Sequence, residues 1–183
     1  MNRLHRITLL LGKEAIQKLQ KSTVMVVGCG AVGSFAIEAL ARSGVGRIIV
    51  IDFDKVEESN INRQLFALDS TVGMQKVEVA KNRVLDINPD IKVDALDVFF
   101  DDKTDLDIKP DFVIDAIDSV QSKIALYKWC TKNKIPFVSS MGAARKTDMS
   151  KIKIDKISKT IVENYQTEIL NLPAGLLLAL KIN

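Results

Sequence analysis

The feature that most constrains the fold is a glycine loop, Gly28–Gly33 (GCGAVG), placed between two segments of different periodicity. The five residues before it, Thr23–Val27 (TVMVV), are continuously apolar, as in a strand buried on both faces. The residues after it, from about Val32 to Ser43, are rich in Ala, Leu and Ile and predict a helix. A G-x-G-x-x-G motif between a strand and a helix indicates a phosphate-binding turn.

Each glycine of this motif has its own expected role. Gly28 permits the tight turn, Gly30 lets a phosphate group approach the backbone, and Gly33 lets the helix pack closely against the strand. The N–H groups and the dipole at the start of the helix favour bound phosphates. A glycine turn that binds nothing is the alternative, and Cys29 inside the loop is interpreted as a small filler and not as a nucleophile.

The alternation of apolar strands and helical segments continues along the chain. Further strands are predicted at Arg47–Asp52, Lys92–Val98, Phe112–Asp115 and Pro136–Ser139, and further helices at Lys13–Lys21, Val72–Asn88 and Gln121–Asn133. Such alternation predicts an α/β fold of the Rossmann-like, doubly wound type, with a mainly parallel sheet and helices on both faces.

Composition indicates one globular domain followed by an atypical tail. The 183 residues are 47% hydrophobic and 27% charged, which fits a single domain of ordinary size. The segment Ile161–Asn183, however, carries only three charged residues. Two interpretations stay open for it: a buried C-terminal helix interrupted at Pro173–Gly175, or a tail foreign to a domain formed by residues 1–160.

Several classes of protein are disfavoured by simple counts. The net charge of +3 is too small to indicate a nucleic-acid partner by itself. Cys29 and Cys130 form no C-x-x-C pair, which argues against a disulfide framework and a cysteine zinc site. The longest apolar stretch, around Leu172–Leu180, is about half of what a membrane crossing needs, and the basic N-terminus lacks a signal-like cleavage site. We therefore expect a cytoplasmic protein with no membrane partner.

A polar segment after the second strand favours ATP over NAD. Asp52 ends that strand, where a carboxylate can accept hydrogen bonds from ribose hydroxyls. Asn60, Arg63 and Gln64 follow, and Lys76 begins the next helix. A guanidinium can fork onto phosphate oxygens and an ammonium adds a compact positive charge, a combination that suits a triphosphate whose pyrophosphate must leave. A solvated surface loop is the alternative.

Four motifs, in this order and spacing, resemble the ThiF/ubiquitin-activating superfamily: GCGAVG at 28–33, DFDKVEESNINRQ at 52–64, VGMQK at 72–76 and DAID at 115–118. The resemblance implies an adenylating enzyme with ATP and Mg²⁺ as cofactors. It also implies the binding residues: Asp52 for the ribose, Asn60, Arg63, Gln64 and Lys76 for the triphosphate beside the three glycines, and Asp118 for magnesium. Independently, Asp115 and Asp118 follow a buried strand, where open α/β sheets bind ligands, although a strand-end turn without a ligand is the alternative.

The N-terminal segment RLHR, residues 3–6, also resembles a family segment in which an arginine reaches the ATP of the partner subunit. The resemblance implies a homodimer, with Arg6 stabilising charge that develops during phosphoryl-group transfer. A frayed basic terminus is the alternative. The predicted catalytic residues are therefore Arg6, Arg63 and Lys76.

Within the superfamily, the chain is closer to the tRNA threonylcarbamoyladenosine dehydratase family, through DAIDS at 115–119 followed by Lys123, NKIPFV at 133–138, GAARK at 142–146 and KIKIDKISKT at 151–160. That resemblance implies a tRNA substrate whose threonyl carboxylate is activated by ATP and whose side chain then closes into a ring. A nitrogen of the same side chain attacks the acyl adenylate, so no enzyme nucleophile is needed. The segment Ser119–Lys159 has ten Lys and Arg residues against two Asp. This positive charge suits binding of RNA phosphates, and the alternative is that these residues lie on solvated helix and loop faces.

Three other interpretations remain at this point. The first is an adenylyltransferase that activates the C-terminal glycine of a ubiquitin-like or sulfur-carrier protein. The second is a truncated copy that binds ATP without turnover, because the family resemblance ends near Thr160. The third is an NAD-dependent oxidoreductase, which does not account for Arg63 and Lys76. A sulfur-transfer partner is left open.

Overall fold

The computed structural model describes residues 3–141, 152–155 and 177–182. The helices are α1 (His5–Leu11), α2 (Lys13–Lys21), α3 (Gly33–Ser43), α4 (Lys76–Ile87) and α5 (Val120–Asn133), and the strands are β1 (Thr23–Val27), β2 (Arg47–Ile51), β3 (Lys92–Leu96), β4 (Phe112–Asp115), β5 (Phe137–Ser140), β6 (Ile152–Asp155) and β7 (Leu177–Ile182). Short 3₁₀ turns occur at Glu58–Asn60 and Asp69–Thr71.

The strands form one sheet in the order β3-β2-β1-β4-β5-β7-β6. All neighbouring pairs are parallel except β6 with β7, which are antiparallel at one edge. The direction of winding reverses between β1 and β4, because β2 and β3 lie on one side and β5 lies on the other. At such a switch point the carboxyl ends of the strands border a crevice where ligands bind. The predicted doubly wound, mainly parallel sheet is confirmed.

Helices cover both faces of the sheet, as the continuous apolar strands predict. Along β1 and β2 the side chains alternate between two buried clusters: Val26 and its neighbours pack with α3 and α4, whereas Met25 and its neighbours pack with α5. Ile37 of α3 and Leu126 of α5 are both fully buried. Each such side chain stabilises the fold by about 1.5–3 kcal/mol relative to an exposed one, so the strands that carry the site are held from both sides.

The helix predicted at Val72–Asn88 begins later than expected. Val72 has an extended backbone and a half-exposed side chain, and Gly73 has φ +86°. A left-handed residue cannot continue a right-handed helix, so α4 begins at Lys76 with Gln75 as its N-cap. The apolar Val72 therefore lies outside the helical face to which the periodicity assigned it.

Two terminal segments also differ from expectation. Residues His5–Leu11 form a helix, α1, which was not predicted, and none of its residues is buried. At the other end, the interpretation of a C-terminal helix is wrong for Leu177–Ile182, because these residues form strand β7 beside β5. The proposed boundary between a domain at 1–160 and a separate tail stays a prediction, and residues 156–176 lie outside the described part of the chain.

Candidate active site

A cavity of about 360 Å³ opens at the carboxyl ends of β1 and β4, at the switch point of the sheet. It is bordered by the glycine loop, by the segment that follows β2, and by the turn that follows β4. Its lining includes seven predicted site residues: Gly28, Gly30, Asp52, Arg63, Gln64, Lys76 and Asp118. Residues separated by up to 90 positions in the sequence therefore surround one space.

The glycine loop has the conformation that its motif predicts. Gly28 has φ +97°, and a Cβ built there would lie 2.6 Å from the carbonyl oxygen of Ala116. A Cβ at Gly33 would lie 1.7 Å from the carbonyl oxygen of Gly28, so only glycine allows α3 to begin this close to the turn. A Cβ at Gly30 would meet nothing nearer than Gln64 Nε2 at 3.8 Å. Gly28 and Gly33 thus serve the turn, and Gly30 leaves space beside the cavity.

Asp52 connects the glycine loop to the segment after β2. Its Oδ2 accepts a hydrogen bond from the N–H of Cys29 at 2.6 Å, and its Oδ1 accepts one from the N–H of Asp54 at 2.8 Å. Burial raises the pKa of the Asp52 carboxyl above its ordinary value, while these two backbone donors oppose the rise. Each oxygen keeps a further lone pair for a ligand hydroxyl, because a carboxylate accepts about four hydrogen bonds.

Lys76 is a buried cation that faces the cavity beside an acidic partner. Its side chain is only 7% exposed, and Nζ donates to Oδ2 of Asp54 at 2.8 Å. Its backbone N–H donates to the carbonyl of Asp54, which ties the start of α4 to the segment after β2. Since the Asp54 side chain is 47% exposed, the ammonium is fixed in place while its partner remains open to solvent.

Arg63 and Gln64 lie on the loop between β2 and α4. The Arg63 guanidinium is exposed and donates through Nη1 to the carbonyl of Ser59 at 2.8 Å and to Oδ1 of Asn62 at 3.0 Å. These two bonds use a part of its five donors, so others remain for an anion. Gln64 is 9% exposed and lines the cavity close to Gly30. The loop therefore brings a cation and an amide to the glycine turn.

Three predicted site residues are not among those that line the cavity: Asn60, Gly33 and Arg6. The Asn60 side chain is buried in its own loop, where Oδ1 accepts a hydrogen bond from the N–H of Glu57 at 3.2 Å. The carbonyl of Asn60 also accepts the N–H groups of Arg63 and Gln64. In this structure Asn60 shapes the loop that presents the cation.

Arg6 lies away from the cavity of its own chain. Next to it, Leu4 packs over Gly44 and Arg3 donates to the carbonyl of Ile87 at 2.7 Å. Gly44 follows α3 and Ile87 ends α4. Both helices end on the side of the sheet where the parallel strands begin, and the cavity lies on the other side, at the carboxyl ends of the strands. Arg6 is exposed on α1, beside the exposed leucines Leu9, Leu10 and Leu11.

Asp118 is an exposed carboxylate on the turn after β4 and lines the cavity. Among the described residues, no group of three or more His, Cys, Asp or Glu side chains forms a metal site. A site with one carboxylate still fits Mg²⁺, because this ion keeps several waters and usually binds through one or two carboxylates together with substrate phosphates. The donor set is therefore compatible with a magnesium ion that arrives with a nucleotide.

Two features of the site were not expected from the sequence. Phe53 and Phe99 form an edge-to-face pair at the cavity, with ring centroids 4.8 Å apart and each side chain about half exposed. Behind the cavity, Lys123, Asp115 and Ser139 form a buried hydrogen-bonded group. Phe53 and Phe99 are 46 positions apart and the other group spans two strands and a helix, so no local spacing indicates either of them.

Neither cysteine has the character of a nucleophile. Cys29 is 1% exposed in the glycine loop, where burial raises the pKa of its thiol well above the ordinary value. Cys130 is fully buried in α5, and burial raises the pKa of its thiol to about 12. A reactive cysteine needs a thiolate near neutral pH, so the interpretation of Cys29 as a filler agrees with its environment.

The basic segment Ser119–Lys159 is described only in part. Lys123 is buried and ion-paired, so this member of the cluster is not available to RNA phosphates. Three lysines on and just after α5 are exposed: Lys128, Lys132 and Lys134. The GAARK motif at 142–146 and most of the segment 151–160 lie outside the described residues. Within the described part of the chain, no helix has the length and apolar character that crossing a bilayer requires.

Comparison with known proteins identifies relatives over most of the chain. The model of the ThiF family matches residues 2–169. The chain is 52% identical over 163 residues to tRNA threonylcarbamoyladenosine dehydratase of Bacillus subtilis (strain 168), covering 87% of this chain and 64% of that relative. It is 37% identical over 133 residues to molybdopterin-synthase adenylyltransferase of Salmonella typhimurium (strain LT2), covering 72% of this chain and 53% of that protein.

A solved structure resembles the fold closely. The crystal structure of Escherichia coli tRNA N6-threonylcarbamoyladenosine dehydratase, TcdA, in complex with ATP, matches with a TM-score of 0.90 and 36% sequence identity. The match covers 97% of this chain and 79% of that one. The chain thus spans less than two thirds of the length of the B. subtilis relative, and most of the length of the ATP-bound structure.

Proposed function

The chain belongs to the ThiF family, and from this premise we propose that it uses ATP to cyclise N6-threonylcarbamoyladenosine in tRNA, with loss of water. The observation that carries the proposal is the cavity itself, in which a glycine turn, two cations and an exposed carboxylate surround one space. Two comparisons support it: the B. subtilis relative bears this enzyme name at 52% identity, and a similar dehydratase was solved with ATP.

The nucleotide binds across the switch point. Asp52 accepts hydrogen bonds from the ribose hydroxyls, and the open backbone at Gly30 receives the phosphates at the start of α3, where N–H groups and the helix dipole favour anions. Arg63 and Lys76 neutralise the terminal phosphates from the opposite side. Asn60 contributes by shaping the loop that carries Arg63.

The reaction proceeds in two steps that conserve atoms. A carboxylate oxygen of the threonyl group attacks the α-phosphorus, the bond to the β-phosphate oxygen breaks, and pyrophosphate leaves with its charge stabilised by Arg63 and Lys76. A nitrogen of the same side chain then attacks the acyl carbon, loses its proton, and AMP leaves. Both reacting groups belong to one substrate, so ring closure gains from proximity and requires no enzyme thiol, in keeping with the burial of Cys29 and Cys130.

Magnesium fits the part of the cavity that is bordered by the turn after β4, where Asp118 lies. We assign Asp118 as its protein ligand, because it is the exposed carboxylate on the turn that borders the cavity. When bound with ATP, the ion neutralises phosphate charge. A magnesium ion held there would complete its coordination with phosphate oxygens and water.

The proposal is tested by incubating the purified chain with ATP and tRNA that carries threonylcarbamoyladenosine, with unmodified tRNA as the control. We expect AMP and pyrophosphate only with the modified tRNA, and a nucleoside that is lighter by one water in mass spectrometry. A chain that binds ATP without turnover on either tRNA would contradict the proposed activity and support the interpretation of a truncated copy. A chain that binds no ATP would overturn the proposal.

Arg6 fits a role in a homodimer. It is exposed beside three exposed leucines on α1, and the chain start is anchored at the edge opposite its own cavity. We therefore propose that Arg6 reaches the nucleotide of a second copy. In a mixture of equal amounts of Arg6→Ala and Arg63→Ala chains, half of the dimers are mixed and each has one complete site, so about a quarter of the wild-type activity should return. Two inactive variants that stay inactive after mixing would contradict this role.

The second candidate is an adenylyltransferase that acts on a small carrier protein, favoured by the match to molybdopterin-synthase adenylyltransferase. Both reactions begin with attack of a carboxylate on the α-phosphorus, so the cavity suits either substrate. Exchange of labelled pyrophosphate into ATP distinguishes them: it should depend on modified tRNA in the first case and on a glycine-terminated protein in the second. The exposed lysines on and just after α5 support a tRNA partner, and we propose a cytoplasmic location; a sulfur-transfer partner stays a prediction.

A further inference from the structure

A buried polar group behind the cavity has no part in the mechanism above. It consists of Lys123 on α5, Asp115 at the end of β4 and Ser139 on β5, whose residues are 6%, 2% and 2% exposed. Lys123 also lines the cavity, together with Ser140 and Asp118. A charged pair placed this deeply under a binding site requires a reason, because its desolvation makes it a weak source of stability.

The contacts of Lys123 indicate that it does not bind a substrate directly. Its Nζ donates to Oδ2 of Asp115 at 3.0 Å, to the carbonyl of Ser140 at 2.9 Å and to Oγ of Ser139 at 3.4 Å. The hydroxyl of Ser139 donates in turn to Oδ2 of Asp115. An ammonium has three protons, so all of its donors are occupied within the protein.

The same group fixes the turn that carries the proposed magnesium ligand. Oδ1 of Asp115 accepts the N–H of Ile117 at 3.0 Å, the residue directly before Asp118. Ala116, between them, donates its N–H to the carbonyl of Val27 at 2.8 Å. The orientation of the Asp115 carboxylate thus determines the path of the backbone from the end of β4 to Asp118.

Lys123 also joins this turn to the end of the neighbouring strand, β5. The carbonyl that it holds belongs to Ser140, the last residue of β5, and both Ser140 and the next residue, Met141, line the cavity. The Lys123 side chain therefore connects the ends of the neighbouring strands β4 and β5. An apolar side chain of similar length, such as methionine, cannot make any of these three bonds.

We propose that Lys123 is a positioning residue, which holds the Asp115 carboxylate and the end of β5 so that Asp118 is directed at the magnesium ion of bound ATP. The proposal rests on the assignment of ATP and magnesium to this cavity. Side chains that orient the ligands of a metal typically change its affinity about 10-fold to 100-fold when they are removed. We therefore expect removal of Lys123 to reduce the increase in ATP affinity that magnesium gives, with little change in the affinity for magnesium-free ATP.

The test is calorimetric titration of ATP into wild-type, Lys123→Met and Lys128→Met chains, each with and without MgCl₂. Lys128 is exposed on the same helix and supplies the matched control. We expect Lys123→Met to lose about 10-fold or more of the tightening that magnesium gives. Its affinity for magnesium-free ATP should stay within about twofold, since the hydrogen-bond partners of Lys123 include none of the residues assigned to the ribose or the phosphates. Lys128→Met should bind ATP like the wild type, both with and without MgCl₂.

A double variant keeps the test valid if Lys123→Met fails to fold. The double variant Asp115→Asn/Lys123→Met removes both charges of the buried pair, so neither charge is left without a partner. It still lacks the ammonium group that connects position 115 to the carbonyl of Ser140. We expect this chain to fold and to show the same loss of magnesium response. A double variant with the wild-type response would overturn the positioning role.

Failure of this inference is distinct from failure of the proposed function. A wild-type chain that binds ATP equally well with and without magnesium contradicts the proposed magnesium site. A wild-type chain that responds to magnesium, together with a Lys123→Met chain that responds equally, contradicts only the role of Lys123.

Discussion

Alanine substitutions at Gly33 and Gly30 should have different effects, because the fold needs the space at Gly33 and the bound nucleotide needs the space at Gly30. At Gly33 the new Cβ would lie 1.7 Å from the carbonyl oxygen of Gly28 and 3.3 Å from Cβ of Ala116. Because the nearer atom is backbone, α3 must move away from β1. We expect a cost of about 3 kcal/mol, which in a chain of this size lowers Tm by about 6–12 °C.

At Gly30 the same substitution meets only Gln64 Nε2, at an ordinary contact distance of 3.8 Å. The stability of Gly30→Ala should therefore lie within about 0.5 kcal/mol of the wild type. The added methyl group instead stands beside the cavity, where a phosphate must approach the backbone. Loss of one charge-assisted hydrogen bond costs about 1.5–3 kcal/mol, so we expect ATP to bind at least about 10-fold more weakly.

The assays are thermal denaturation without nucleotide and calorimetric titration with ATP, applied to both variants and the wild type. The expected pattern is opposite for the two positions: Gly33→Ala loses stability, and Gly30→Ala loses ATP affinity at unchanged Tm. A Gly33→Ala chain with the wild-type Tm would refute the packing argument. A Gly30→Ala chain that binds ATP normally would show that phosphates do not lie at this loop.

Three further predictions concern the site and the scaffold. Arg63→Ala and Asp118→Ala should each abolish adenylate formation with little change in Tm, because both side chains are exposed; release of AMP at the wild-type rate by either variant would contradict its assignment. Lys76→Met should weaken ATP binding while leaving the fold intact, because the partner Asp54 is already half exposed and keeps its hydration; calorimetry and a melting curve measure the two effects. Finally, the hydrogen bonds from Arg83 lower the pKa of Glu38, so this pair stabilises the fold above the ordinary pKa of a glutamate and loses its effect as the pH falls through the lowered value. Arg83→Ala should cost about 1 kcal/mol in neutral urea denaturation, and a cost that persists unchanged in strong acid would contradict the linkage.

Most elements could be predicted from local patterns. The apolar runs within Thr23–Val27 and Arg47–Ile51 form strands whose side chains alternate between two buried clusters. Because the residues on both faces are apolar, the run itself indicates a strand covered twice. The prediction failed at Val72, where an apolar residue at helical spacing is followed by a left-handed glycine. Periodicity does not report backbone handedness.

The site prediction is most direct where a residue's role follows from its neighbours in the sequence. Gly28 and Gly33 have the conformation and the close packing that their motif requires. Asn60, in contrast, was expected to face the triphosphate, yet its side chain caps its own loop. Whether a polar side chain on a loop points to a ligand or back to its own backbone depends on the three-dimensional path of that loop, which residue types alone do not determine.

The sequence by itself determined that this chain forms a doubly wound parallel sheet with a phosphate-binding turn after its first strand. These properties depend on apolar periodicity and on glycine, and both act over a few neighbouring residues. Only the tertiary structure decided that Lys123 lies buried against Asp115 and Ser140, and that the chain segment next to Arg6 is anchored at the far edge from the cavity. Such contacts depend on which strand ends become neighbours, and the order of strands in the sheet is not encoded in any local pattern.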